Sequence, residues 1–250
     1  MRTKPVLAIA LASMLLLAGC SGLTGSSGNG DGAGGDYPAA DSITADQIET
    51  HAAALNDTSF TTEINVTQGG QTVSSATVLV DRTDDQYLQR STSAFGNSTL
   101  YTAGNTSYQR SQYGNQTQVA RTDRSVNVTA AVRGSSTLEI FISHNVTYEQ
   151  VGTETFDGDE VMRYEAEGVD KLSEEFRNST GENLTVTDFS ATLLLDGEGR
   201  VRKFSADFSF TRNGETSNTT FVTTVTDVGS TDVEEPDWVS QANATTQTQS

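Results

Sequence analysis

The sequence predicts a mainly β (α+β) fold: one curved antiparallel sheet with an N-terminal helix and short inserted helices on its concave face. Three observations carry this. Short segments alternate apolar and polar residues with a period of two, as half-buried strands do. Gly, Asn and Asp pairs punctuate them at hairpin positions. Helical spacing is confined to one segment ahead of the strands and two in the middle, an order that packs helices onto one face of a single sheet.

In chain order, Thr44 and Gln47 have the spacing of a capping box, with Ile43 and Ile48 placed as a hydrophobic staple. Ile48, Ala52 and Leu55 then recur at i, i+4 and i+7, and Asn56-Asp57 ends the helix. Phe60, Ile64 and Val66 share one face of a strand whose other face carries Thr61, Glu63, Asn65 and Thr67. Gln68-Gly69-Gly70-Gln71 is a hairpin signal. Thr72–Val80 returns with Ala76, Val78 and Val80 on one face. Gln86–Ser93, Thr99–Ala103 and Ser107–Tyr113 read as further short strands. Ser136 to Glu139 forms a second capping box ahead of a helix over 137–143. Thr147–Thr155 and Glu160–Glu167 pair across Phe156-Asp157-Gly158-Asp159, and a helix follows over Lys171–Asn178 with Leu172 and Phe176 on one face. Two long strands, Thr185–Leu195 and Arg200–Thr211, meet at Asp196 to Gly199. Phe204, Ala206, Phe208 and Phe210 share a face of the second. Asn213-Gly214 turns the chain into a last strand, Thr216–Asp227. Trp238 then sits in a terminal segment that docks it.

Ahead of this domain, Arg2 and Lys4 precede an apolar run over residues 5–18, the layout of a signal peptide. The run is shorter than the ~20 residues of a spanning helix. Cys20 is the one cysteine in the chain. Leu17-Ala18-Gly19-Cys20 resembles a lipobox, which implies cleavage before Cys20 and lipid on its sulfur. Residues 21–35 are Gly/Ser-rich and read as a flexible tether. The expected organisation is therefore a signal peptide (1–19), a lipidated Cys20 with its tether (20–36), a folded domain (37–238) and a disordered tail (239–250). The expected location is the outer face of the cell membrane, anchored by lipid on Cys20.

The formal charge is −18, from 15 Lys and Arg against 33 Asp and Glu. Removal of residues 1–19 takes Arg2 and Lys4 and no acid, leaving −20. No basic patch is available to meet phosphates, so nucleic acid is not an expected partner. An acidic, lysine-poor, Thr/Ser-rich surface is similar to that of secreted proteins from extreme halophiles, and it stays hydrated and self-repelling in strong salt. Asn-x-Ser/Thr acceptors at Asn65, Asn97, Asn105, Asn127, Asn145 and Asn218 are candidate glycosylation sites of an exported protein.

The helix ahead of "SFTTEINVT", then "ETFDGDEVMRYEAEG" and "LLLDGEGRVRKFSADFSF", with the lipobox and tether, resemble the lipoprotein carrier and LppX/LprG superfamily. More closely they resemble haloarchaeal lipoproteins of that layout. The resemblance implies an unclosed β half-barrel plugged by helices, with a cavity for lipid or acyl chains.

Catalytic and metal motifs are missing from the sequence: it has no HExxH, CxxC, G-x-S-x-G or P-loop spacing. No cofactor, no metal and no enzymatic activity are expected. His51 and His144 read as helix-surface or rim residues, and Asp157-Gly158-Asp159 reads as a β-turn rather than a Ca²⁺ loop. What remains is the apolar face: Phe60, Ile64, Val78, Val80, Leu193, Phe204, Phe208, Phe210 and Phe221, with Val66, Leu195 and Val225 beside them. It either forms plain core beneath the helices or accepts an acyl or isoprenoid chain. The two functions to separate are a tethered binder or carrier of a hydrophobic ligand, and a glycosylated surface interaction protein without a cavity, its protein partners unknown. Anchoring has its own test: Cys20→Ser moves the protein from the membrane fraction into the medium, and unchanged membrane retention contradicts the anchor.

Overall fold

The computed structural model describes residues 37–128, 138, 142, 146–179 and 184–242. The signal segment, Cys20, the tether, His144, Asn145 and most of the helix expected over 137–143 lie outside the described residues.

Two meanders make one sheet. The first runs through β1 (Phe60–Gln68), β2 (Gln71–Asp81), β3 (Gln86–Ser93), β4 (Gly96–Ala103), β5 (Thr106–Tyr113) and β6 (Gln116–Thr122). The second runs through β7 (Glu149–Phe156), β8 (Asp159–Glu167), β9 (Leu184–Asp196), β10 (Val201–Arg212) and β11 (Glu215–Thr226). The order is β6-β5-β4-β3-β2-β1-β11-β10-β9-β8-β7, antiparallel throughout and not closed into a barrel. β1 and β11, far apart in sequence, pair from Thr61↔Thr226 to Gln68↔Thr219 and fuse the meanders.

Both central residues of three tight turns, Gly69-Gly70, Asp157-Gly158 and Asn213-Gly214, have positive φ. That is the mirror-image turn whose twist matches paired strands.

Directly opposed residues share a face, so the register defines two surfaces. One row crosses six strands as Ala76, Ile64, Thr223, Phe204, Leu193 and Tyr164. This is the concave, helix-bearing face. Ile43 and Ile48 flank the start of α1 (Ala45–Ala54) and pack there with Leu138, Ile142 and Leu172. The opposite face carries the row Leu79, Leu88, Tyr101 and Tyr108. Trp238, 7 % exposed, covers it with Val233 and Val239. Trp238 docks as the sequence suggested, and residues 239–242, expected in the tail, form a helical turn with Val239 and Ala242 buried.

Several local expectations change. The capping box does not form: Thr44 makes no side-chain cap bond. Gln47 instead donates to the Gly199 carbonyl at 2.7 Å, tying α1 to the β9–β10 turn. The helix expected over Lys171–Asn178 divides into a 3-10 turn, Val169–Lys171, and α2, Glu174–Ser179. Leu172 falls between them and bridges to Val146. Strand β6 was not predicted, and β4 begins at Gly96 rather than Thr99.

One buried charge on β10 ties the β7–β8 turn to β11 within the second meander. Arg202 is 1 % exposed. Its Nε donates to the Val225 carbonyl at 3.1 Å, Nη1 to Asp159 at 2.6 Å and Nη2 to Asp157 at 3.1 Å. The Phe156 ring lies 5.9 Å from the guanidinium carbon. Asp157-Gly158-Asp159 is thus a β-turn, and its two carboxylates are committed to an internal arginine. A buried charge is tolerable only when so paired.

Candidate functional site

Strand periodicity places Phe60, Thr62 and Ile64 of β1, Val78 and Val80 of β2, Tyr87 of β3, and Thr223 and Val225 of β11 on one patch of the concave face. They line a pocket that His51 of α1, Val128 and Leu138 complete. It straddles the β1–β11 seam. The cavity is about 30 Å³, within about 400 Å³ of non-atom space that includes its open mouth. Thirty cubic ångströms is two to three times the ~10–15 Å³ that one water needs.

The wall is apolar with a few polar atoms. His51 is 2 % exposed, not the rim residue its sequence context suggested. Its Nδ1 accepts the Val201 N–H at 3.1 Å. Burial, and secondarily the Arg200 charge, lowers its pKa to about 4, so the ring is neutral at pH 7. Thr223 is 1 % exposed, and its Oγ1 has no hydrogen-bond partner among the described residues. The Tyr87 hydroxyl donates to Gln89 Oε1 at 2.6 Å, and burial pushes its pKa up to about 12.

Of the residues the sequence nominated, the structure brings Phe60, Ile64, Val78 and Val80 together at the pocket, with Val225. Leu193, Phe204, Phe208, Phe210 and Phe221 do not line it. Leu193 and Phe204 are fully buried in the main core beneath α1, Leu138, Ile142 and Leu172. Phe208 centres a ring cluster, 4.9 Å from Phe189, 5.4 Å from Phe210, 6.1 Å from Phe176 and 6.2 Å from Phe221. His51, Thr223 and Tyr87 were missed. The signal for His51 was its place beside Ile48 and Ala52 on the apolar helix face. For Thr223 it was a hydroxyl at an inward position between Phe221 and Val225.

Among the candidate glycan acceptors, Asn97, Asn105, Asn127 and Asn218 are exposed. Asn65 is half-buried in mid-strand between Ser75 and Val222, on the face opposite the pocket. Elsewhere, an open acidic depression of about 410 Å³ is lined by Asp159, Glu160, Asp196, Glu198 and Arg200. Three of its four carboxylates are engaged by arginines: Asp159 by Arg202, Asp196 by Arg200 at 3.4 Å, and Glu198 by Arg200. Among the described residues no group of three or more His, Cys, Asp or Glu side chains could hold a metal ion. No helix there is long and apolar enough to cross a membrane.

The chain belongs to a family of unknown function, DUF7537, whose profile matches residues 5–242. No curated protein matches it. Solved structures similar to it include LprF from Mycobacterium bovis, at 9 % identity and TM-score 0.40, covering 77 % of this chain and 95 % of that one. The LolA superfamily protein NE2245 from Nitrosomonas europaea shares 11 % identity at TM-score 0.24, covering 81 % and 97 %. MucB in complex with MucA(peri) shares 13 % at TM-score 0.31, covering 78 % of this chain and 57 % of that one. At such scores these likenesses carry no functional argument.

The buried imidazole makes stability depend on pH in a defined direction. Unfolded His51 takes a proton near pH 6.5, whereas the folded protein refuses it until about pH 4. Between those values the unfolded state binds more protons, so stability falls as pH falls through that window and levels off below it. The difference is on the order of 3 kcal/mol. In urea titrations at constant salt, wild type is expected to lose that much more stability than His51→Gln between pH 7 and pH 4. Parallel curves contradict a neutral buried His51.

Proposed function

We propose that this domain binds a hydrophobic ligand, an acyl or isoprenoid chain, while held at the outer face of the membrane by lipid on Cys20. The observation that carries the reading is the apolar pocket at the β1–β11 seam. Ligand sites are mostly apolar with a few placed polar groups, and this one has that composition. Its cavity of about 30 Å³ is far below the space that encloses a drug-sized ligand. The cargo is therefore narrow: a linear chain inserts its end. The rest lies along a half-buried apolar track leaving the pocket, Ile64 to Val66 on β1 with Phe221 opposite Val66 on β11. Each CH₂ buried there contributes ~0.8 kcal/mol.

A glycosylated interaction protein without a ligand cavity has one observation on its side. Leu193, Phe204 and Phe208, half-way along the nominated face, fill a closed core rather than line a space. The two readings part at the pocket wall. Val78 is half-buried and faces the cavity. With the full-length protein at high salt, the linear, uncharged fluorescent probe methyl cis-parinarate binds wild type, and Val78→Phe weakens it about tenfold or more while circular dichroism stays native. No binding by wild type, or equal binding by Val78→Phe, favours the interaction reading.

A further inference from the structure

The pocket wall holds a hydroxyl where an apolar side chain of the same shape would fit. Thr223 sits on the concave face between Ile64 and Phe204 in neighbouring strands, 1 % exposed. Its Oγ1 finds no hydrogen-bond partner among the described residues. An unpaired buried hydroxyl is destabilising, and valine there would remove the cost without changing the volume. A second polar atom shares the wall. His51 Nδ1 accepts the Val201 N–H, so a neutral ring carries its proton on Nε2 and has one donor left. His51 and Thr223 both line the same small cavity.

We propose that His51 and Thr223 form the polar end of this pocket and recognise a neutral oxygen, the carbonyl or hydroxyl of an otherwise apolar chain. The proposal rests on the chain-binding reading of the same pocket. A carbonyl oxygen accepts from His51 Nε2–H and from the Thr223 hydroxyl. A carboxylate is disfavoured because, among the described residues, no Lys or Arg lines the pocket. Arg200, whose charge reaches His51, is already paired with Asp196 and Glu198. An ammonium is disfavoured because, among the described residues, no carboxylate lines the pocket. The ligand class is a long-chain ketone, ester or alcohol.

The test compares 2-dodecanone with dodecane, each displacing the uncharged probe methyl cis-parinarate from full-length wild type, Thr223→Val, Thr223→Ser and His51→Phe. Thr223→Val is expected to weaken the ketone about three- to tenfold, the worth of one hydrogen bond, and the alkane less than about twofold. His51→Phe acts in the same sense, and Thr223→Ser keeps the ketone's advantage. Equal effects on both probes, or none, overturn the proposal and leave only water at the polar end, while chain binding stands. Failure of both probes to bind wild type overturns the chain-binding reading and this proposal with it.

Discussion

The pairing of β1 with β11 is the constraint on which the rest depends. Every other strand contact joins strands consecutive in the chain, and all of these but β8–β9, which are linked through the 3-10 turn and α2, are hairpins whose short turns set the register. The β1–β11 ladder has no turn to set it. It closes a loop of more than a hundred residues, whose entropy cost only side-chain packing offsets. The packing is visible on both sides of the seam. Phe60 and Val225 are buried in one cluster, and Arg202 of β10 reaches across to the Val225 carbonyl while held by Asp157 and Asp159. A slip of one residue would turn Ile64 and Thr223 to the opposite face and dissolve the pocket. Fold and candidate site therefore share one long-range contact.

The sheet has unlike covers on its two faces. On the concave side, α1, Leu138, Ile142 and Leu172 lie over β8–β10 and seal that region into core. Over β1, β2 and β11 the cavity is found, completed by His51, Val128 and Leu138. On the other side Trp238 and Val239 cover β2–β5. The space beneath α1 exists because the helix is held at its start by Ile43 and Ile48 and at the β9–β10 turn by Gln47 and His51, both bonded to that turn region. Gly199 belongs to this docking: at φ +78° it also brings its backbone so close to Thr50 that a Cβ would meet the Thr50 methyl at 2.6 Å.

Most strands were legible because their apolar residues alternate and their turns carry Gly after Asn, Asp or Gly. β6 was not. Gln116–Thr122 offers Val119 and Ala120, adjacent and on opposite faces, so no alternation survives. The second buried face was hidden too. Leu79, Leu88 and Tyr101 adjoin apolar residues of the other face (Val78 and Val80, Tyr87, Leu100), while their same-face neighbours two residues away are mostly polar, so only register aligns them under Trp238. Periodicity puts the nominated apolar residues on one face, but the division of that face into core and pocket depends on where the helices rest, which periodicity does not encode. The same limit applies to His51. Its position on an apolar helix face was visible, whereas its partner, the Val201 N–H, lies 150 residues away in the chain. Gln47 shows local pattern yielding to tertiary contact, since a residue placed for a capping box found a better acceptor at Gly199.

Binding of a narrow apolar chain in the seam pocket, as proposed, is open to direct chemical detection. The most direct measurement is mass spectrometry of an organic extract from the full-length protein, made in a native type of host at high salt and shown to be folded. One defined lipid near one per chain is expected, beyond any lipid covalently attached at Cys20. A clean extract from folded protein would contradict it.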